Sequence, residues 1–130
     1  MILVDTSALM ALVDKKDQFH LRASGTLEHL LAAGELLCLH NYLIVEAVAL
    51  ITRKVGAAAA RELLVGLDKF KVVWVSEQLH RAGLNLWFKN GSRQLSFVDS
   101  ISFVVMLKEK IDTAFTFDKH FEQAGFKIYK

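Results

Sequence analysis

Of the 14 acidic residues in the chain, four stand in apolar stretches: Asp5 in MILVD, Glu46 in LIVEAVALI, Asp99 in SFVDSISFVVM and Asp118 in AFTFD. The others sit among polar neighbours such as DKKD, KEK and ARE, the ordinary setting of a solvated surface. An ionised carboxylate in apolar surroundings costs several kcal/mol unless a cation or strong hydrogen-bond donors meet it. Backbone amides can supply part of that. Asp5 fits the cap of a helix starting at Thr6, Asp118 the cap of a turn starting at Lys119, and Asp99 a capping box with Ser96. Glu46 has no such outlet. With Asn41 as the cap it falls in the second turn of its helix, past the free amides, and its neighbours three and four residues away are Tyr42, Leu43, Ala49 and Leu50. Its ordinary partner would be a distant cation.

One shared solution satisfies all four. Carboxylates about 6 Å apart repel by roughly 3 kcal/mol per pair at an effective dielectric near 20, and the six pairs together exceed typical fold stability. Such a cluster must bind protons or cations. An all-oxygen donor set without His or Cys selects a hard divalent ion, Mg2+ or Mn2+, kept partly hydrated. That ion suits phosphodiester hydrolysis, because it polarises a phosphoryl oxygen, lowers the pKa of a bound water and stabilises the leaving oxygen. The expectation is that Asp5 and Asp99 are the principal metal ligands. Glu46 and Asp118 complete the site through waters or a second ion, or orient the attacking water. Ser7 and Thr116 are candidate hydroxyls for orienting the ligands, and equally candidates for plain helix-start and strand positions.

The elements that must position these residues follow from periodicity and punctuation. MILVD reads as a short buried strand, followed by helices over Thr6 to Val13 and Gln18 to Ala33, the second stopped by Gly34. Leu36 to Leu39 is a second strand, and a very apolar helix over Tyr42 to Lys54 ends at Gly56. A helix over Ala57 to Lys69, a strand over Val72 to Val75 and a helix over Glu77 to Lys89 come next. After the loop NGSRQ, a helix over Phe97 to Lys110, a strand over Ala114 to Phe117, a helical turn over Lys119 to Gln123 and a strand over Lys127 to Tyr129 complete the pattern. This alternation predicts the α/β class, with a parallel sheet covered by helices on both faces. Asp5 and Asp118 then fall at the carboxyl ends of strands, the edge where open α/β sheets place their ligands. Asp99 and Glu46, near the starts of their helices, can reach the same edge.

Composition bounds the alternatives. A chain of 130 residues suits one domain, and a net charge of +2 gives no global basic field, so any polyanion site must be local. Candidate phosphate contacts are Lys15, Lys16, Arg22, Arg93 and Lys119, each near a predicted loop or helix end. Cys38 is the only cysteine, which excludes a disulfide scaffold within one chain and fits a buried, inert thiol in a reducing compartment. The longest apolar runs, Leu43 to Ile51 and Ile101 to Leu107, are far short of a membrane span, and MILVD lacks the basic start of a secretory signal. A cytoplasmic protein is expected. The five histidines, His20, His29, His40, His80 and His120, lack paired metal-ligand spacing and read as surface or packing residues. Asn90-Gly91-Ser92 reads as a turn, and the Gly-rich phosphate motifs are absent, which argues against a nucleotide cofactor. Hydrophobic residues make up 53 % of the chain, and the helices around Tyr42 to Ile51 and Ala57 to Leu67 carry more apolar surface than one core needs. A dimer or partner interface is expected there, with burial against the sheet as the plain alternative.

The sequence resembles the PIN-domain proteins, and more narrowly the VapC-type toxin ribonucleases. The matching pieces are VDTSALMALVD with Asp17-x-x-His20 just after it, HNYLIVEAVALI, LSFVDSISFVVM and AFTFDKHFEQAGF, which agree in spacing and order across essentially the whole chain. The resemblance implies one PIN-like nuclease domain over residues 1–130, with five parallel strands in the order 3-2-1-4-5 and an acidic pocket at the carboxyl edge. It also implies Mg2+- or Mn2+-dependent RNA cleavage, homodimerisation, and neutralisation by a small antitoxin whose tail covers the pocket. The family's acidic positions fall on Asp5, Glu46, Asp99 and Asp118, and none is missing. The RNA substrate is implied by the resemblance alone.

Three other readings compete. A receiver-like phosphoacceptor also gathers acids around Mg2+, but it is disfavoured because Glu46 lies inside a helix and the last strand lacks a preceding lysine loop. A phosphoaspartyl hydrolase needs a second Asp two residues after the first, where this chain has Ser7. A catalytically inactive PIN-like interaction module would keep the acids to bind a basic partner.

Overall fold

Apolar strands without alternation are the mark of a sheet buried on both faces, and the middle of this fold is built from them. The structure, a computed structural model, describes residues 1–90 and 94–129. Strand β1 (Ile2–Val4) lies at the centre and pairs in parallel with β2 (Leu37–His40) through Leu3 and Cys38, and with β4 (Thr113–Phe115) through Leu3 and Ala114. Strands β3 (Lys71–Val73) and β5 (Lys127–Tyr129) flank them, giving the all-parallel order β3-β2-β1-β4-β5. Leu3, Val4, Cys38, Leu39, Ala114 and Phe115 have no exposed surface. Burial pushes the Cys38 thiol up to about 11, in keeping with an inert thiol.

The helices are α1 (Thr6–Val13), α2 (His20–Ala32), α3 (Asn41–Lys54), α4 (Ala57–Gly66), α5 (Glu77–Asn90), α6 (Phe97–Lys108) and the short α7 (Lys119–Gln123). Their positions match the sequence reading, with differences that have local causes. Helix α4 stops at Gly66 and a 3-10 turn covers Leu67–Lys69, where one helix over Ala57 to Lys69 was expected. Strand β3 ends at Val73 rather than Val75, because the Val75 amide donates to Asn41 Oδ1 at 2.7 Å and leaves the ladder. Asn41 is therefore not the cap of α3. That role falls to His40, whose Nδ1 accepts from the Leu43 amide at 3.2 Å.

Helices α5 and α6 make the most extensive helix pair. They approach closely at Gly83, where an added Cβ would overlap the Ile101 side chain and stand 3.3 Å from the Ile101 Cα. Glycine is required there by proximity.

The strand order reverses direction at β1, and the crevice above such a point, at the carboxyl ends of the strands, is where an open α/β sheet offers a binding site. The residues leaving β1 and β4 enter that crevice. Among the described residues no helix is long and apolar enough to cross a membrane. The loop NGSRQ holds residues 91–93, so the turn expected at Asn90-Gly91-Ser92 and the phosphate contact expected at Arg93 lie outside the described residues.

Candidate metal centre

Asp5 follows β1 directly and caps α1, so its carboxylate is fixed at the carboxyl edge by both elements. Its Oδ2 accepts from the Ser7 amide at 3.4 Å, from Ser7 Oγ at 3.0 Å and from Thr116 Oγ1 at 2.9 Å. Thr116 comes from the far side, just after β4, and its own oxygen accepts from the Asp118 amide at 2.9 Å. Ser7 and Thr116 thus orient the acid, as their positions in sequence allowed. At 4 % exposure Asp5 is buried, which pushes its carboxyl up to about 6, with the Asp99 charge adding to the rise and the hydrogen bonds from Thr116, Ser7 and Thr6 opposing it.

Glu46 projects from the second turn of α3, and Thr6 Oγ1 donates to its Oε1 at 2.6 Å. No cation pairs with it among the described residues. Burial raises its pKa, the Thr6 bond opposes this, and the Asp5 charge adds to it. Asp99 is the third residue of α6 and closes the expected capping box: its Oδ2 accepts from the Ser96 amide at 3.0 Å while its amide donates to Ser96 Oγ at 3.1 Å. Its pKa is raised by burial first, against the Ser96 backbone bond, with the Asp118 and Glu46 charges adding to the rise. Asp118 caps α7 by accepting the His120 amide at 2.9 Å.

All four carboxylates line one cleft of about 500 Å³, together with Asp17 and the side chains of Thr6, Ser7, Phe19, Ser96 and Phe117 among others. Five carboxylates face the cleft, and among the described residues no Lys or Arg lines it. Of the expected phosphate contacts, Lys15 and Lys16 border a different cleft beside Lys54, and Arg22 and Lys119 line neither. Another cleft of similar volume, between α5, α6 and α7, is lined by Leu86, Leu95, Phe103, Leu107 and His120 among others and carries no carboxylate.

Three residues belong to this site that sequence reasoning left out. Thr6 holds Glu46, and Asp17 enters from the Asp-x-x-His stretch. The third is His120, where a surface or packing role was expected. One ligand atom each from Asp99, Asp118 and His120 lie within 4.8 Å of one another. His120 Nδ1 stands 2.7 Å from Asp118 Oδ1, yet this buried nitrogen makes no well-aligned hydrogen bond. The sequence signal was the two-residue step from Asp118 to His120 at a helix cap, which folds the ring back toward the capping carboxylate.

This donor set fits a hard divalent ion. A cation supplies the countercharge for Asp5, Glu46 and Asp99, which burial and neighbouring carboxylates push up, and the poorly bonded nitrogen beside Asp99 and Asp118 is the kind of atom an ion engages. The nitrogen also changes the expected all-oxygen set into a mixed one, which Mn2+ accepts more readily than Mg2+.

Comparison with known proteins decides the family. The PIN domain family matches residues 2–127. The chain belongs to it. Within the PIN domain proteins, the 23S rRNA-specific endonuclease VapC20 of Mycobacterium tuberculosis, from strains CDC 1551 and H37Rv, is 33 % identical over 129 residues, covering 97 % of this chain and 95 % of the relative. The crystal structure of M. tuberculosis VapC20, described as a sarcin-ricin loop cleaving toxin, superposes with a TM-score of 0.84 at 31 % identity, covering 97 % of this chain and 96 % of that one. The strand order expected from the resemblance is the one observed.

Proposed function

We propose that this PIN domain protein is a divalent-metal-dependent endoribonuclease and the toxin of a toxin–antitoxin pair, with one nuclease domain over residues 1–130. The observation that carries the reading is a cleft of five carboxylates with no Lys or Arg in its described lining, in a chain aligned end to end with an RNA endonuclease toxin. Asp5 and Asp99 are the principal ligands, and Glu46, Asp118 and His120 complete the site. A bound ion supplies Lewis-acid polarisation of the scissile phosphate and a lowered pKa for the attacking water. The chain's own residues do the positioning. Ser7 and Thr116 hold one oxygen of Asp5 and leave the other for the ion, Thr6 fixes Glu46, and the Ser96 box aims Asp99. Burial raises the pKa values of Asp5, Glu46 and Asp99, so below about pH 6 protons compete with an ion for the Asp5 oxygens.

Mg2+ or Mn2+ is the cofactor, and RNA is the substrate. The 23S rRNA sarcin-ricin loop that the mycobacterial relative cleaves is the first target to try. A cytoplasmic location and an antitoxin partner follow from the same reading. Exposed Val45 on α3 and Leu64 and Val65 on α4 support a homodimer or antitoxin interface on those helices. The decisive experiment incubates partner-free protein with 23S rRNA in Mg2+, Mn2+ or chelator. Cleavage with either ion and none with chelator is expected, whereas equal cleavage in chelator overturns the reading. A monomer at micromolar concentration overturns the homodimer.

A further inference from the structure

The acidic cleft poses a difficulty for its own substrate. Five carboxylates repel a polyanion, and among the described residues no Lys or Arg lines the cleft to offset them. A contact that is not electrostatic would hold the nucleotides beside the cleaved phosphate without adding to that repulsion. The cleft contains one. Phe19 and Phe117 both line it, and their rings stack with centroids 4.4 Å apart and an interplanar angle of 4°. Both rings are half-buried.

The pair is held by the same atoms that hold the acids. The Phe19 amide donates to Asp17 Oδ1 at 2.8 Å. The Phe117 amide donates to Ser7 Oγ at 3.0 Å, and that hydroxyl is the one that orients Asp5. Phe117 is also the residue before Asp118, and the Phe115 ring packs edge-on to it with centroids 6.1 Å apart. The backbone of each ring is therefore tied to the segments that carry the acids, and both side chains pack against the core. We propose that Phe19 and Phe117 form a stacking platform for an unpaired nucleobase next to the cleaved phosphodiester, so that the cleft selects RNA whose bases are splayed out of a helix. Aromatic faces accept any base at about 1 to 3 kcal/mol each, and bases in single strands and loops are free to use them. This inference rests on the ribonuclease reading above, and it assigns substrate affinity to aromatic stacking where a basic groove would ordinarily supply it.

The test replaces each ring by leucine, which keeps apolar packing and removes the aromatic face, and by tryptophan, which keeps the face. For a single-stranded oligoribonucleotide, Phe19→Leu and Phe117→Leu should raise KM about 5- to 140-fold with kcat changed less than about threefold, and the tryptophan variants should restore KM. Binding is read separately, with Ca2+ in place of the activating ion, from oligoribonucleotides in which 2-aminopurine replaces each purine in turn. Quenching at one position, lost in both leucine variants, is expected. Leucine variants with unchanged KM and undiminished quenching overturn the platform and leave the ribonuclease reading intact. Wild-type protein that cleaves no RNA with either ion overturns the ribonuclease reading, and the 2-aminopurine signal, which needs no cleavage, then still decides the platform.

Discussion

At the β1 end of the cleft Asp5 is 4 % exposed and takes hydrogen bonds from hydroxyls on two distant segments, Ser7 and Thr116. At the β4 end the side chains of Asp118 and His120 are 29 % and 26 % exposed and lean on the five-residue helix α7. The first end is fixed by the sheet, since its donors leave neighbouring strands β1 and β4. The second is fixed by one local turn. A metal held across these two ends would meet a rigid anchor and an adjustable side, so losses at the two ends should differ in size and in kind.

The largest loss is expected at the two acids proposed as principal ligands, Asp5 at the anchor and Asp99 beside the adjustable end. Asp5→Asn and Asp99→Asn should each lower kcat/KM by roughly a thousandfold or more, since a metal's transition-state stabilisation is worth several kcal/mol. Steady-state RNA cleavage measures this, with circular dichroism to verify the fold, and near-normal cleavage by both variants would remove the metal-ligand assignment. Ser7→Ala should weaken Mn2+ binding about 10- to 100-fold in calorimetry, the usual cost of losing a group that orients a ligand. His120→Asn should cost about tenfold or less, because the adjustable end can recruit water in place of the ring. A larger loss at His120 than at Ser7 would reverse the comparison between the two ends.

The last effect is on stability rather than on cleavage or ion binding. Asp5 holds its proton up to about pH 6 in the folded chain and only to about 3.8 when unfolded. The ion-free protein therefore has its full Asp5 contribution below about pH 4 and loses up to about 3 kcal/mol as pH rises through 6. Asp5→Asn should flatten that slope in chemical denaturation. Glu46 and Asp99 shift in the same direction and steepen it. Added Mn2+ should stabilise more at pH 7 than at pH 5, because protons and ions compete for the same oxygens.

Much of this was legible in the sequence, for physical reasons that particular residues show. Helix Thr6–Val13 was read to the residue because an acid cap and a run of apolar residues mark it from both ends. The four acids were legible because a carboxylate among apolar neighbours has few ways to be satisfied, and they do share a cleft. The cap of α3 was misassigned to Asn41 because a ring nitrogen rarely fills that role. His40 does so while its Nε2 sits 2.8 Å from Ser102 Oγ, a contact across 62 residues that no local rule contains. Thr6 escaped notice for the same reason, since its partner lies 40 residues away. Lys15 and Lys16 border another cleft because nearness to a loop end in sequence says nothing of which cleft that loop borders.

The glycine at position 83 has reach beyond the helix it belongs to. Ile101, against which it is pressed, lies two residues after Asp99 on the opening turns of α6. A methyl group there would press on the Ile101 side chain and crowd its backbone, in the helix that also carries Asp99. The seating of a helix that brings one carboxylate to the cleft thus leans on a residue that bears no side chain, and a survey confined to charged groups would pass it by.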